Sequence, residues 1–99
     1  MVTNIAAYHF VAIDAPQALA LRLQDWAGQT GLLGTVLVAG EGINLFLAGP
    51  EAGIARFLQR LQGDARFAGL RVKYSDSDTQ PFARLKVKVK PEIITFRRD

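Results

Sequence analysis

Thr35-Val36-Leu37-Val38-Ala39-Gly40-Glu41-Gly42-Ile43-Asn44-Leu45-Phe46-Leu47-Ala48 sets two largely apolar runs on either side of a glycine-bounded tip. Both runs read as buried strands, and Gly40-Glu41-Gly42 leaves room only for a tight connection, which predicts an antiparallel hairpin. The glycines superficially resemble a phosphate-cradling loop. A dinucleotide fingerprint needs a third glycine and a following helix, whereas this run enters a strand. Gly40 and Gly42 are therefore expected to serve the turn through positive φ. Glu41 and Asn44 beside them are candidates to address a ligand or a neighbouring domain.

Working outward from the hairpin, Ile5 to Ile13 is apolar on both faces and rich in aromatic and β-branched residues, which predicts a central strand. Asp14-Ala15-Pro16-Gln17 then has the form of a capped helix start, with Asp14 accepting early N–H groups and Pro16 in the first turn. That helix should run to about Gln29 and bury Leu19, Leu23, Trp26 and Ala27. Beyond the hairpin, Gly49-Pro50-Glu51 opens a second helix, ending near Gly63, whose Ile54, Phe57, Leu58 and Leu61 follow the i, i+3, i+4, i+7 spacing. Leu70 to Tyr74 alternates as a fourth strand. Arg84 to Lys90 alternates as a fifth, interrupted at Pro91 and resuming through Ile93-Ile94-Thr95-Phe96. The order β-α-β-β-α-β plus an extra strand is that of an α+β, ferredoxin-like (acylphosphatase-like) split βαβ sandwich. It has an antiparallel sheet with two helices on one face and an extra C-terminal strand.

The 99 residues are 49% apolar and contain no low-complexity tract, so residues 1–99 are expected to form a single domain. Cysteine is absent, which removes thiolate metal sites and thiol nucleophiles from this chain. No apolar run approaches the ~20 residues of a membrane span and the first residues lack a cationic n-region, so a soluble cytoplasmic protein with no membrane association is the expectation.

Charge is unevenly placed. Residues 71–99 hold eight Lys/Arg against four Asp/Glu, while residues 1–70 hold four against five. In Arg84-Leu85-Lys86-Val87-Lys88-Val89-Lys90 a period of two sends four cations to one side and three apolar side chains to the other, so this strand builds core and basic surface together. A polyanion, with nucleic acid foremost, is the partner such a row suits, through salt-dependent phosphate contacts. The plainer function of the lysines is to keep an edge strand from aggregating. Ser75 to Phe82 reads either as a solvated loop anchored by Phe82 or as a recognition loop beside the cations. The sheet lacks a clear pair of exposed aromatics in RNP-like motifs, so base stacking of the RNA-recognition-motif kind is not expected. His9, the single histidine, reads as a satisfied, partly buried imidazole. No metal is expected and no residue pattern implies a cofactor.

Gly34 to Asn44, Ala48-Gly49, Lys73-Tyr74-Ser75, Pro81-Phe82, Arg84 to Lys90 and Glu92 to Thr95, in that order, resemble the amino-terminal domain of a bacterial rhodanese-related family. Its better-known members are oxygen-dependent tRNA uridine hydroxylases that form 5-hydroxyuridine at the wobble position. The resemblance spans essentially the whole chain. It departs after Asn44, where Leu45-Phe46 stands in place of a small or polar residue. In that family the module is acylphosphatase-like and is followed by a rhodanese-like domain bearing the cysteine associated with activity. The resemblance therefore implies a longer protein, continuing beyond Arg97-Arg98-Asp99, in which this domain is not itself catalytic. Acylphosphatase chemistry is not expected here, because Ile13-Asp14-Ala15-Pro16-Gln17 stands where those enzymes carry a glycine-rich, arginine-bearing phosphate loop.

Two functional expectations follow. In the first, the domain positions tRNA, with Lys73, Arg84, Lys86, Lys88 and Lys90, and Arg71 beside them, contacting phosphates, and with Glu41 and Asn44 organising the hairpin or the rhodanese-like interface. In the second, the open sheet face is a protein-interaction or dimerisation module of a rhodanese-like sulfurtransferase.

Overall fold

The computed structural model describes residues 1–91. Its elements are β1 (Val2–Phe10), α1 (Pro16–Gln29), β2 (Leu33–Ala39), β3 (Gly42–Gly49), α2 (Glu51–Gln62), a 3-10 turn (Ala65–Phe67), β4 (Lys73–Ser77) and β5 (Leu85–Val89). Ile93 to Phe96, expected to resume the last strand, lies outside the described residues.

The hairpin forms as its sequence dictates. Val38 faces Ile43 and Val36 faces Leu45 across an antiparallel ladder closed by Gly40-Glu41. Gly42 takes φ +153 and a side chain there would collide with the His9 carbonyl oxygen, because β3 also pairs with β1 from its first residue. Gly40 lacks the positive φ expected of it. The full strand order is β4-β1-β3-β2-β5, with β1, β2, β3 and β4 antiparallel and β5 parallel to β2. This is the ferredoxin-like, acylphosphatase-like α+β fold, with a mixed sheet in place of a wholly antiparallel one. The direction of β5 follows from its route. The chain leaves β4 at one edge, crosses the sheet and enters at the other edge running with β2, where Gly34 N–H meets Arg84 O at 3.0 Å and Lys90 N–H meets Val38 O at 2.8 Å.

Both helices cover one face, α1 over β2 and β5 and α2 over β1 and β3. Ile5, Val36, Val38, Ile43, Leu45 and Leu47 meet Leu23, Ile54, Phe57 and Leu61 there, in a core closed at one end by Phe67 and Leu70. Each large side chain fully withdrawn from water contributes on the order of 2 kcal/mol. All four apolar positions expected of α2 are buried, with Glu51 in its first turn and Arg60 in its last, as the helix dipole favours.

Local boundaries differ from the sequence reading for identifiable reasons. β1 stops at Phe10 because Val11 and Ile13 turn their N–H groups onto Glu41 O and Gly40 O, leaving the ladder for the hairpin turn. Asp14 is exposed and does not cap α1; Ala15 holds the cap position without a side-chain hydrogen bond, and Pro16 supplies the preset φ. Leu19, Leu23 and Ala27 are buried as expected, while Trp26 is half-buried at the margin of the core. β4 begins at Lys73 because Leu70 is used as a core plug after the 3-10 turn. No helix among the described residues is long and apolar enough to cross a membrane.

Two glycine substitutions should move stability in opposite directions. Gly42→Ala is expected to cost at least about 2 kcal/mol through backbone strain and collision, whereas Gly28→Ala, in open space within α1, should gain up to about 1 kcal/mol. Urea unfolding with an unchanged m value checks both.

Candidate nucleic-acid interface

Side chains on adjacent strands share a face when their residues are direct partners, and alternate faces along each strand. Ile5, Leu47, Val36 and Leu45 point toward the helices. Asn4, Ala6 and Tyr8 of β1, Asn44, Phe46 and Ala48 of β3, and Thr35 and Leu37 of β2 therefore occupy the opposite face. Register adds Lys73 and Ser75 of β4 beside Ala6 and Asn4, and Lys86 and Lys88 of β5 beside Thr35 and Leu37. Among the described strands this face carries three lysines and no carboxylate.

The expected cations are thus placed on one face but not in one cluster. Lys86 and Lys88 sit on β5, with Arg84 just before the strand and Lys90 just after it. Leu85 and Val87 alternate with them and pack on the core, so the strand does build core and basic surface together. Lys73 lies on the opposite edge, four strand spacings away, roughly 19 Å. Arg71 lies just before it, at the end of the β4 edge. A ligand touching both rims must lie across the sheet.

Between the rims runs the crossover from β4 to β5. Its seven residues can span at most roughly 25 Å, so the segment crosses with little slack. It is tied down midway: Gln80 Nε2 donates to Ala48 O at 2.9 Å, and Gln80 Oε1 accepts from the Phe82 N–H at 3.1 Å. Phe82, half-buried, shares a hollow with Ala6 and Phe46. The aromatic anchor expected of this segment is present, and the strap covers one end of the open face.

One expectation is overturned. Tyr8, 55% exposed, and Phe46, 39% exposed, stand on the open face of the two central neighbouring strands, so the sheet does present a pair of aromatics. The sequence conceals them because Ile5 to Ile13 is apolar at nearly every position, which masks its alternation. The usable signal is register: pairing the Leu45/Leu47 face with Ile5 sends Phe46 and Tyr8 outward together. Glu41 and Asn44 are not brought together. Glu41 lies half-exposed in the turn, with its carbonyl bound by Val11, whereas Asn44 is mid-strand, 4% exposed, with Oδ1 lacking a hydrogen-bond partner.

At the end of β1, His9 is partly buried, and its Nε2 donates to Arg66 O at 2.8 Å with its ring against Phe67. The loop that follows spends the Val11 and Ile13 N–H groups on the hairpin turn. Those donors are therefore engaged within the fold, in keeping with a loop that carries no arginine or glycine run.

Comparison with known proteins places these features. The sequence profile of the UPF0176 acylphosphatase-like domain matches residues 2–93. A tRNA uridine(34) hydroxylase of Xanthomonas oryzae pv. oryzae (strain PXO99A) is 62% identical over 99 residues, covering 100% of this chain and 39% of that protein. One from Xanthomonas campestris pv. campestris (strain 8004) is 64% identical with the same coverage. The chain therefore spans about two-fifths of the length of these curated relatives. Acylphosphatase from Bacillus subtilis superposes with a TM-score of 0.62 at 18% identity, covering 88% of this chain and 98% of that one, a likeness of fold alone.

Not every cation is available to a polyanion. Arg66 Nη2 pairs with Asp64 Oδ2 at 2.7 Å, and Asp64 Oδ1 accepts the Arg66 backbone N–H at 2.9 Å as the cap of the 3-10 turn. The guanidinium hydrogen bond, followed by the backbone one, lowers the Asp64 carboxyl from 3.8 to about 2. A carboxyl depressed on folding stabilises the protein above its unfolded pKa and loses that contribution as pH falls through the folded one. The site is well solvated, so the contribution is discounted to about 1 kcal/mol. Asn retains cap geometry without charge. The stability difference between wild type and Asp64→Asn should accordingly be level above pH 4 and shrink as pH falls toward 2, measured by urea unfolding at stepped pH.

Proposed function

This chain belongs to the UPF0176 acylphosphatase-like domain family, and from that premise we propose that it is the tRNA-positioning domain of an oxygen-dependent tRNA uridine hydroxylase. The reaction, formation of 5-hydroxyuridine at the wobble position, would be carried out by a cysteine-bearing, rhodanese-like domain elsewhere in the same protein. Cysteine is absent from this sequence, so no thiol chemistry is assigned to it. The observation that carries the reading is the open face itself: Lys86 and Lys88 at one rim, Lys73 at the other, and no strand carboxylate between. Such a surface attracts phosphates irrespective of sequence and positions an RNA without reading it. Arg84 and Lys90 extend the β5 rim, and Glu41 holds the turn through its backbone.

The exposed Tyr8 and Phe46 on this face favour a second reading, in which it packs against another domain or a second copy. Sedimentation with and without tRNA separates the two: self-association without RNA binding favours the second.

Replacing Lys86, Lys88 and Lys90 together by Gln should weaken tRNA binding and flatten its salt dependence, by roughly 0.7 to 0.9 in log–log slope for each phosphate no longer neutralised. Filter binding across a salt series reads both effects. An unchanged affinity and slope would remove β5 from the RNA surface.

A further inference from the structure

Beside the strap, the open face keeps an unfilled groove of about 660 Å³ lined by Ala6, Tyr8, Asn44, Phe46, Arg71 and Lys73. Its floor follows from register. Tyr8 faces Asn44 and Ala6 faces Phe46, so two aromatic rings stand at diagonal corners while the small Ala6 and the buried Asn44 lie at the other two. Arg71 and Lys73 close the side toward β4.

We propose that this groove seats one unstacked nucleobase of a bound single-stranded RNA segment, its ring against Tyr8 and Phe46, its polar edge on the Asn44 amide and its flanking phosphates on Arg71 and Lys73. The inference rests on the RNA reading above and deepens it, because a row of lysines grips phosphate without engaging a base. Three independent features select this occupant. Aromatic side chains on a sheet surface give every base a stacking partner. The Asn44 Oδ1 is buried and unpartnered at the groove floor, which costs stability unless something supplies a donor, and bases carry N–H groups on their hydrogen-bonding edges. An apolar floor edged on its β4 side by Arg71 and Lys73, on a face with no strand carboxylate, suits a ligand that pairs a flat ring with an anionic backbone. The volume lies within the range of small-molecule sites, roughly 300 to 1,000 Å³.

The test uses the full-length gene product and a single-stranded RNA of roughly ten nucleotides, in which one position at a time is made abasic. Removing the base at one position, or at two neighbouring ones, should weaken binding to wild type roughly tenfold while leaving the salt slope unaltered. Tyr8→Ala and Phe46→Ala should each weaken intact RNA by a similar factor and become insensitive to the abasic change. Tyr8→Phe and Phe46→Tyr should bind as wild type does. If every abasic RNA binds wild type as tightly as the intact strand, the base seat is wrong, while the phosphate reading stands on its own salt slope; this arm decides even where an alanine variant does not fold. If the alanine variants alter self-association and leave RNA affinity unchanged, the groove is a protein-binding surface and the proposal is overturned. If the lysine triple variant is also without effect on RNA, both readings fall together.

Discussion

The pairing of β3 between β1 and β2 decides what every other strand shows to solvent. Ile43, Leu45 and Leu47 are fully withdrawn from water beneath the helices. Because side chains alternate along a strand, burying those three sends Asn44 and Phe46 to the opposite face, and pairing carries Tyr8, Ala6, Thr35 and Leu37 with them. A one-residue slip would exchange the faces and expose the core, so the register is held by the whole hydrophobic contribution of the sheet. The outward composition of the open face is in this sense set by the core.

That face has no second layer among the described residues except the strap from β4 to β5. Because β4 and β5 form opposite edges, the strap has to cross, and Gln80 and Phe82 tie it to β3. It separates a covered end near Asn4 and Ala48 from an open end around Tyr8, Asn44 and Phe46. The same topology divides the basic residues, placing Lys73 on one rim and Lys86 and Lys88 on the other. Arg66 is withdrawn from this set by Asp64 and serves to hold the turn against which His9 packs.

Much of the fold is legible where one period dominates. The 3.6-residue spacing of Ile54, Phe57, Leu58 and Leu61 and the two-residue spacing of Leu85, Val87 and their lysines each admit a single buried face, and the glycine-bounded tip admits one pairing. Legibility fails where a tertiary interaction competes with local chemistry. Asp14 resembles a cap, but Ile13 is drawn to the hairpin turn and the helix starts beyond it. Leu70 resembles the start of a strand, but it fills the core beneath the 3-10 turn. The direction of β5 depends on the strap and has no local signature. Of the site, the cations are visible from alternation alone, whereas Tyr8 and Phe46 lie far apart in the chain and become a pair only once β1 is set against β3.

The central claim is that the uncovered sheet face is the surface that meets RNA. Ultraviolet cross-linking of the full-length protein to tRNA, with the attached peptides identified by mass spectrometry, tests it most directly, since photochemical bonds form only between groups that touch. The account predicts adducts on β1 and β3, centred on Tyr8 and Phe46. Adducts confined to peptides of α1 and α2, with β1 and β3 unmodified, would contradict it.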